Sequence, residues 1–147
     1  AALQAAETGH FVISTLHTTD AAETVHRIID MYPKEQQHQA RLSLASALKG
    51  IVCQRLVASS TGEGRVAVIE ALAMTSRIQE FITDPSLTEQ VTDAIAEGGY
   101  YGMQTFDQHL LQLFQAGDIS LKDALSAASS PHDFKVALRA AGLAHAG

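Results

Sequence analysis

The feature that most constrains the fold is a short unbroken apolar run, Phe11-Val12-Ile13, ending near Leu16 and set between two helical signals. Before it, Ala1–Thr8 is rich in strong helix formers and stops at Gly9, a residue suited to the position just past a helix end. After it, Asp20 and Glu23 stand at capping-box spacing and open a helix that runs to about Asp30, where Tyr32-Pro33 ends it. An apolar run without alternation, between turn signals, predicts a strand buried on both faces as in a parallel sheet. Helix, strand and helix in that order predict part of an α/β layer structure.

Downstream, Lys34 to about Val57 predicts one long helix, because Leu44, Leu48, Ile51, Val52 and Leu56 fall on a single helical face. Ala58–Gly64 is a polar turn and Arg65–Leu72 a strand. Short helices follow over Ser76–Thr83, Leu87–Ala96, Thr105–Gln115, Leu121–Ala128 and Pro131–Ala140. Gly98-Gly99 and Gly117 act as stops, and Ser130-Pro131 as a capped start. The expected division is an α/β part over 1–72, a helical part over 73–141 and a frayed tail over 142–147.

The 147 residues are 46% apolar and 18% charged, enough for a sizeable core. No apolar run approaches the roughly 18 residues of a membrane-spanning helix. A net charge of −6, with ten scattered Lys and Arg, disfavours a nucleic-acid partner, and none is expected, since duplex binding rests on neutralising phosphates. Cys53 is the sole cysteine, so no internal disulfide and no cysteine-rich zinc site is expected, and the histidines do not cluster. Cys53 reads as an inert buried thiol, in keeping with a cytoplasmic protein. The chain starts at Ala1, in what looks like mid-helix sequence, which reads as a cut through a longer polypeptide.

Four stretches, in order, resemble the retraction-ATPase branch of the secretion ATPases. They are Ala6-Glu7-Thr8-Gly9-His10 through Thr15-Leu16-His17-Thr18, matching a histidine box; Arg27-Ile28-Ile29-Asp30-Met31-Tyr32-Pro33 with Gln54-Arg55-Leu56; Gly64-Arg65-Val66-Ala67 entering Glu70; and Gly98-Gly99 with Gly102-Met103-Gln104-Thr105-Phe106-Asp107 and Leu110. The resemblance spans roughly residues 1–120. It implies the C-terminal part of a RecA-like P-loop ATPase core over 1–72, followed by an all-helical portion. It further implies a homohexameric motor that uses ATP and Mg2+, peripheral to the cytoplasmic side of the inner membrane and working with pilus or secretion machinery. The phosphate loop of that family is expected upstream of Ala1, and no G-x-x-x-x-G-K-[ST] occurs in these residues. The fragment alone is therefore expected to be inactive. Ala58-Ser59-Ser60-Thr61-Gly62-Glu63 stands where the assembly branch carries a four-cysteine zinc loop, so no zinc is expected. The retraction-associated A-I-R-N-L-I-R-E stretch aligns with Arg77–Asp84, which keeps Ile78, Phe81 and Ile82 but has Gln79 and Thr83 at the arginine positions. Those two departures leave the motor's direction open. An alternative is a catalytically inactive relative that docks into such a ring as a regulator or scaffold, and an upstream phosphate loop, intact or degraded, separates the two.

Within these stretches His17 is the expected catalytic residue. It stands at the carboxyl end of the predicted strand, where ligands of open α/β sheets bind, and an imidazole there can donate to a γ-phosphate oxygen. The competing reading is a strand-end histidine bonded to loop backbone. Thr18 is the expected nucleotide-binding residue, with helix entry as its competing explanation. His10 lies seven residues before His17, roughly 23 Å along an extended strand, and reads as structural. Glu7 reads as a helix-end packing residue. Arg27 and Asp30 read as a local ion pair, or as a reach across a subunit boundary, and Arg55 and Arg65 flank a hairpin.

Overall fold

The computed structural model describes residues 2–143. Its elements are α1 (Ala2–Glu7), α2 (Ala21–Asp30), α3 (Gln37–Ala47), β1 (Gly50–Ala58), β2 (Arg65–Ala73), α4 (Ser76–Thr83), α5 (Val91–Glu97), α6 (Phe106–Ala116), α7 (Leu121–Ala127) and α8 (Pro131–Ala140), with short 3-10 turns before α3 and on either side of α5. The architecture is α/β, and beyond β2 every described element is helical. The chain forms two compact units. One takes residues up to Cys53 together with Ala71–Met103; the other takes Gln54–Glu70 together with the residues from Gln104 onward.

In the first unit α3 packs on α1, α2 and α4, and α2 also packs on α5. The apolar stripe of α2 (Ala21, Val25, Ile29) is buried, as are Leu44 of α3, Ile78 and Ile82 of α4, and Val91 and Ile95 of α5. A buried arginine ties two of these elements. Arg41 Nη1 donates to the Ile82 carbonyl (2.9 Å) and to Thr88 Oγ1 (3.1 Å), and the Thr88 hydroxyl donates on to the Phe81 carbonyl (3.0 Å). The last turn of α4 thus finds donors for carbonyls a helix end leaves unpaired.

The second unit packs Phe106 and Leu110 of α6, Ala124 of α7 and Phe134 and Leu138 of α8 into one core. Every helix here is capped at its start by a hydroxyl side chain, with Thr105, read from the sequence as the first residue of its helix, serving as the cap of α6. Thr105 and Gln108 form a full capping box, and Ser120 and Ser130 accept from the N–H three residues on. Gly117, at φ +83°, ends α6 in the left-handed conformation glycine permits. Of the tail expected to fray, 144–147 lie outside the described residues, while the Leu143 N–H donates to the Leu138 carbonyl (2.9 Å) and closes α8.

Two sequence expectations are corrected. The long helix over Lys34–Val57 stops at Ala47, where Leu48 turns extended (ψ 135°), and 50–58 is a strand. Bonds from Ser59 N–H to the Gly64 carbonyl and from Met74 N–H to the Lys49 carbonyl flank the β1–β2 hairpin at its two ends, which sets Ile51 opposite Leu72 and Val57 opposite Val66. Burial alternates along β1: Ile51, Cys53 and Val57 are inside, while Val52 and Leu56 are 73% and 53% exposed. The same apolar positions satisfy a 3.6 and a 2.0 period in part, and cross-strand pairing decides between them. The second correction concerns Phe11–Leu16. It forms no ladder, and Phe11 and Ile13 are each 82% exposed. A strand needs hydrogen-bonding neighbours, and among the described residues the only sheet is the hairpin.

Candidate functional site

The stretch His10–Thr18 lacks regular structure and delivers His17, Thr18 and Thr19 to the start of α2. Asp20 is the N-cap, extended at φ −154° and ψ 177°, and its Oδ1 accepts the Glu23 N–H (2.8 Å). Glu23 does not complete an ordinary capping box. Its Oε2 reaches one residue further back and accepts both the N–H (2.7 Å) and the hydroxyl (2.6 Å) of Thr19. Those two bonds, the hydroxyl's first, hold the Glu23 carboxyl below its usual 4.5, with a smaller pull from Arg27. Arg27 Nη2 lies 3.4 Å from Glu23 Oε1, so the local ion pair of Arg27 is with Glu23 and not with Asp30.

Thr18 is tied inward. The Thr24 hydroxyl donates to the Asp20 carbonyl (2.8 Å), so the short contact between Thr18 Oγ1 and Thr24 Oγ1 (2.7 Å) takes its proton from Thr18. With its proton committed, Thr18 presents acceptor lone pairs, which suit a metal ion or metal-bound water and not a phosphate oxygen. His17 is exposed between these tethered residues and the free stretch before it. An exposed imidazole can offer a ring N–H to an anionic oxygen, so His17 and Thr18 fit part of a Mg-nucleotide and leave most phosphate contacts to other residues. His10 is engaged elsewhere: its Nδ1 lies 3.2 Å from both the Ala5 carbonyl and Thr8 Oγ1, at the end of α1. Glu7 ends that helix on the surface.

The Gly102–Asp107 motif is accounted for by packing within the second unit, together with Met103 closing the first. Gln104 Nε2 donates to the Ile69 carbonyl (2.9 Å), and the Ile69 N–H donates to His109 Nδ1 (2.9 Å), so β2 is held by two side chains. Asp107 accepts from the N–H groups of Ser129 (2.7 Å) and Ser130 (3.1 Å), fixing the entry to α8. Phe106 lies under Arg55, whose guanidinium carbon is 3.9 Å from the ring centroid and whose Nη1 donates to the Ala127 carbonyl and Ser129 Oγ, each 3.0 Å away. Sequence reading missed His109, because nothing local distinguishes a side chain that bonds a strand forty residues away. It placed Glu23 at capping-box spacing but not its bonds to Thr19, one residue before the cap. In α4, Ile78, Phe81 and Ile82 are buried and Gln79 is exposed, with the Thr83 hydroxyl turned back on the Gln79 carbonyl (2.9 Å). Among the described residues no helix is long and apolar enough to cross a membrane, and no group of three or more His, Cys, Asp and Glu could hold a metal ion.

Comparison with known proteins places this geometry in a family. The Type IV pilus retractation ATPase PilT of Pseudomonas aeruginosa is 41% identical over 133 residues, covering 90% of this chain and 38% of the relative. A twitching motility protein of Neisseria gonorrhoeae is 40% identical over 119 residues, covering 81% of this chain and 32% of the relative. The chain thus spans about a third of the length of these curated relatives. Among solved structures, the pilus retraction motor PilT with bound ADP superposes with a TM-score of 0.78 at 41% identity, over 90% of this chain and 36% of that one. The family model described as Type II/IV secretion system protein matches residues 1–125, and the chain accordingly belongs to that family, on its PilT-like retraction-ATPase branch.

Proposed function

We propose that the full-length protein is a homohexameric motor that hydrolyses ATP with Mg2+ and drives pilus retraction, or the dynamics of a related type IV pilus or secretion filament, from the cytoplasmic face of the inner membrane. The supporting observation is an exposed His17 beside a tethered Thr18–Thr19 turn, in a chain 41% identical to a pilus ATPase over 90% of its length. Bound Mg-ATP supplies the γ-phosphoryl group and the counter-charge of the metal. His17 would donate a ring N–H toward the oxygen charge that grows in transfer, and the Thr18 oxygen, whose proton goes to Thr24, would accept from the hydration shell of the nucleotide's metal. His10 keeps the end of α1 closed.

The test is steady-state ATPase of the full-length protein with oligomer content checked for each variant. His17→Ala should lower turnover on the order of 10²-fold, or roughly 3 kcal/mol, with little change in KM, the usual effect of removing one preorganised donor. His10→Ala, as control, should lower midpoint and activity together. Turnover of His17→Ala near the wild-type value would make His17 a structural residue.

A further inference from the structure

We propose that Glu23 is the positioning residue for His17, acting through the backbone of Thr19. This rests on the reading of His17 given above and adds the group that holds it in place. An N-terminal glutamate of a helix ordinarily returns to the N–H of the N-cap. Here that role is vacated: Glu23 Oε2 takes the N–H and the hydroxyl of Thr19 together, at 2.7 and 2.6 Å. Two bonds from one oxygen to one residue fix both the peptide before Asp20 and the Thr19 side chain. The neighbouring residue is fixed as well, because Thr18 Oγ1 is bonded to Thr24 Oγ1 (2.7 Å), one position along the same helix.

His17 is the residue immediately before this doubly held pair. The chain on its other side, Phe11–Leu16, makes no ladder. Among the described residues, the hydrogen-bonded support next to the imidazole is therefore the turn that Glu23 and Thr24 clamp to α2. Thr24 is buried and the Asp20 cap is set by Glu23's own N–H, so the clamp is referred to the core through Val25 and Ala21. Arg27, one turn further on, lies 3.4 Å from the other carboxylate oxygen and biases Glu23 toward the charged form that accepts both bonds. A supporting group of this kind sets the orientation of a reacting residue without touching substrate.

The experiment is a double-mutant cycle in the full-length protein, read by ATPase kinetics and by amide hydrogen exchange of the segment containing Thr19. Glu23→Ala should lower kcat about tenfold with KM for Mg-ATP little changed, a loss typical of a small misplacement of a catalytic group. The Thr19 segment should exchange faster while the α2 core does not. Glu23→Gln, which keeps one acceptor oxygen, should recover most of the rate. In a His17→Ala background the added loss from Glu23→Ala should shrink to less than about twofold, since coupled residues are not additive. Thr19→Val, which removes only the hydroxyl donor, serves as the milder variant should Glu23→Ala fold poorly. A full tenfold loss in both backgrounds, or wild-type kcat for Glu23→Ala, overturns the positioning role while leaving His17 intact. Wild-type turnover of His17→Ala itself overturns the reading of His17, and the clamp then has nothing to position.

Discussion

Arg55 and Asp84 show how two charged residues acquire different weights from their surroundings. Arg55 stacks on Phe106 at 3.9 Å and donates to the Ala127 carbonyl and Ser129 Oγ. A planar guanidinium serves the ring face and both acceptors at once, and an ammonium does not. Arg55→Ala is expected to destabilise by about 2 kcal/mol, summing a cation–π contact and a charged hydrogen bond, and Arg55→Lys should recover less than half of it in urea unfolding. Asp84 is exposed, and its carboxyl is held below its usual 3.8 by the Ser86 hydroxyl first and the Ser86 N–H second, with a smaller attraction to Arg41. A depressed folded-state pKa contributes stability that is complete above the ordinary carboxylate value and is lost as pH falls through the lowered one. Asp84→Asn should therefore have a lower urea midpoint than wild type at neutral pH, and the two midpoints should converge in acid below that lowered value. Parallel curves at all pH values would show that Asp84 titrates alike in both states.

Among the elements, the hairpin was the hardest to read and carries the clearest test. Gly50 opens β1, and a Cβ placed there would lie 2.8 Å from the Leu72 carbonyl oxygen, a backbone atom with no freedom to swing aside. Gly50→Ala is expected to destabilise by roughly 1–3 kcal/mol, as overpacking does, although alanine favours the helix that the apolar spacing implies. A neutral or stabilising effect in thermal unfolding would place 50–58 outside the pairing described. The short capped helices were legible because their signals are local: Thr75, Thr105, Ser120 and Ser130 each accept from the N–H three residues later. Where the decisive partner is remote, legibility failed. The side of β1 that is buried depends on β2, the exposure of Phe11–Leu16 follows from its having no ladder partner among the described residues, and the roles of His109 and Arg41 depend on carbonyls and N–H groups forty residues away. The candidate site divides the same way. His17 and Thr18 are proposed from their motif, whereas the link from Thr19 to Glu23 is one residue off the spacing that a capping box predicts.

At the scale of the whole molecule, the chain covers 38% of its PilT relative and 36% of the PilT structure solved with ADP. The phosphate-cradling pattern G-x-x-x-x-G-K-[ST] is absent from its 147 residues, and with it the lysine and the magnesium-holding hydroxyl of that loop. On the reading proposed above, these residues offer a nucleotide the His17 ring and the Thr18 oxygen, both outside any described cluster of metal ligands. One charge-assisted hydrogen bond contributes about 1.5–3 kcal/mol, and a second polar contact about one more. A micromolar dissociation constant needs about 8.2 kcal/mol, while 4.1 kcal/mol corresponds to only about millimolar binding. Residues 1–147 prepared alone are therefore expected to bind Mg-ATP no more tightly than about millimolar and to show no turnover, even when circular dichroism shows the helices formed. Calorimetric titration to several hundred micromolar nucleotide should give no saturable heat, and His17→Ala should leave the trace unchanged, because the ring's donation gains strength only where a phosphate is already held. Saturation in the micromolar range would mean that these residues contain a complete phosphate site, and the assignment of His17 and Thr18 as one edge of a larger site would be wrong.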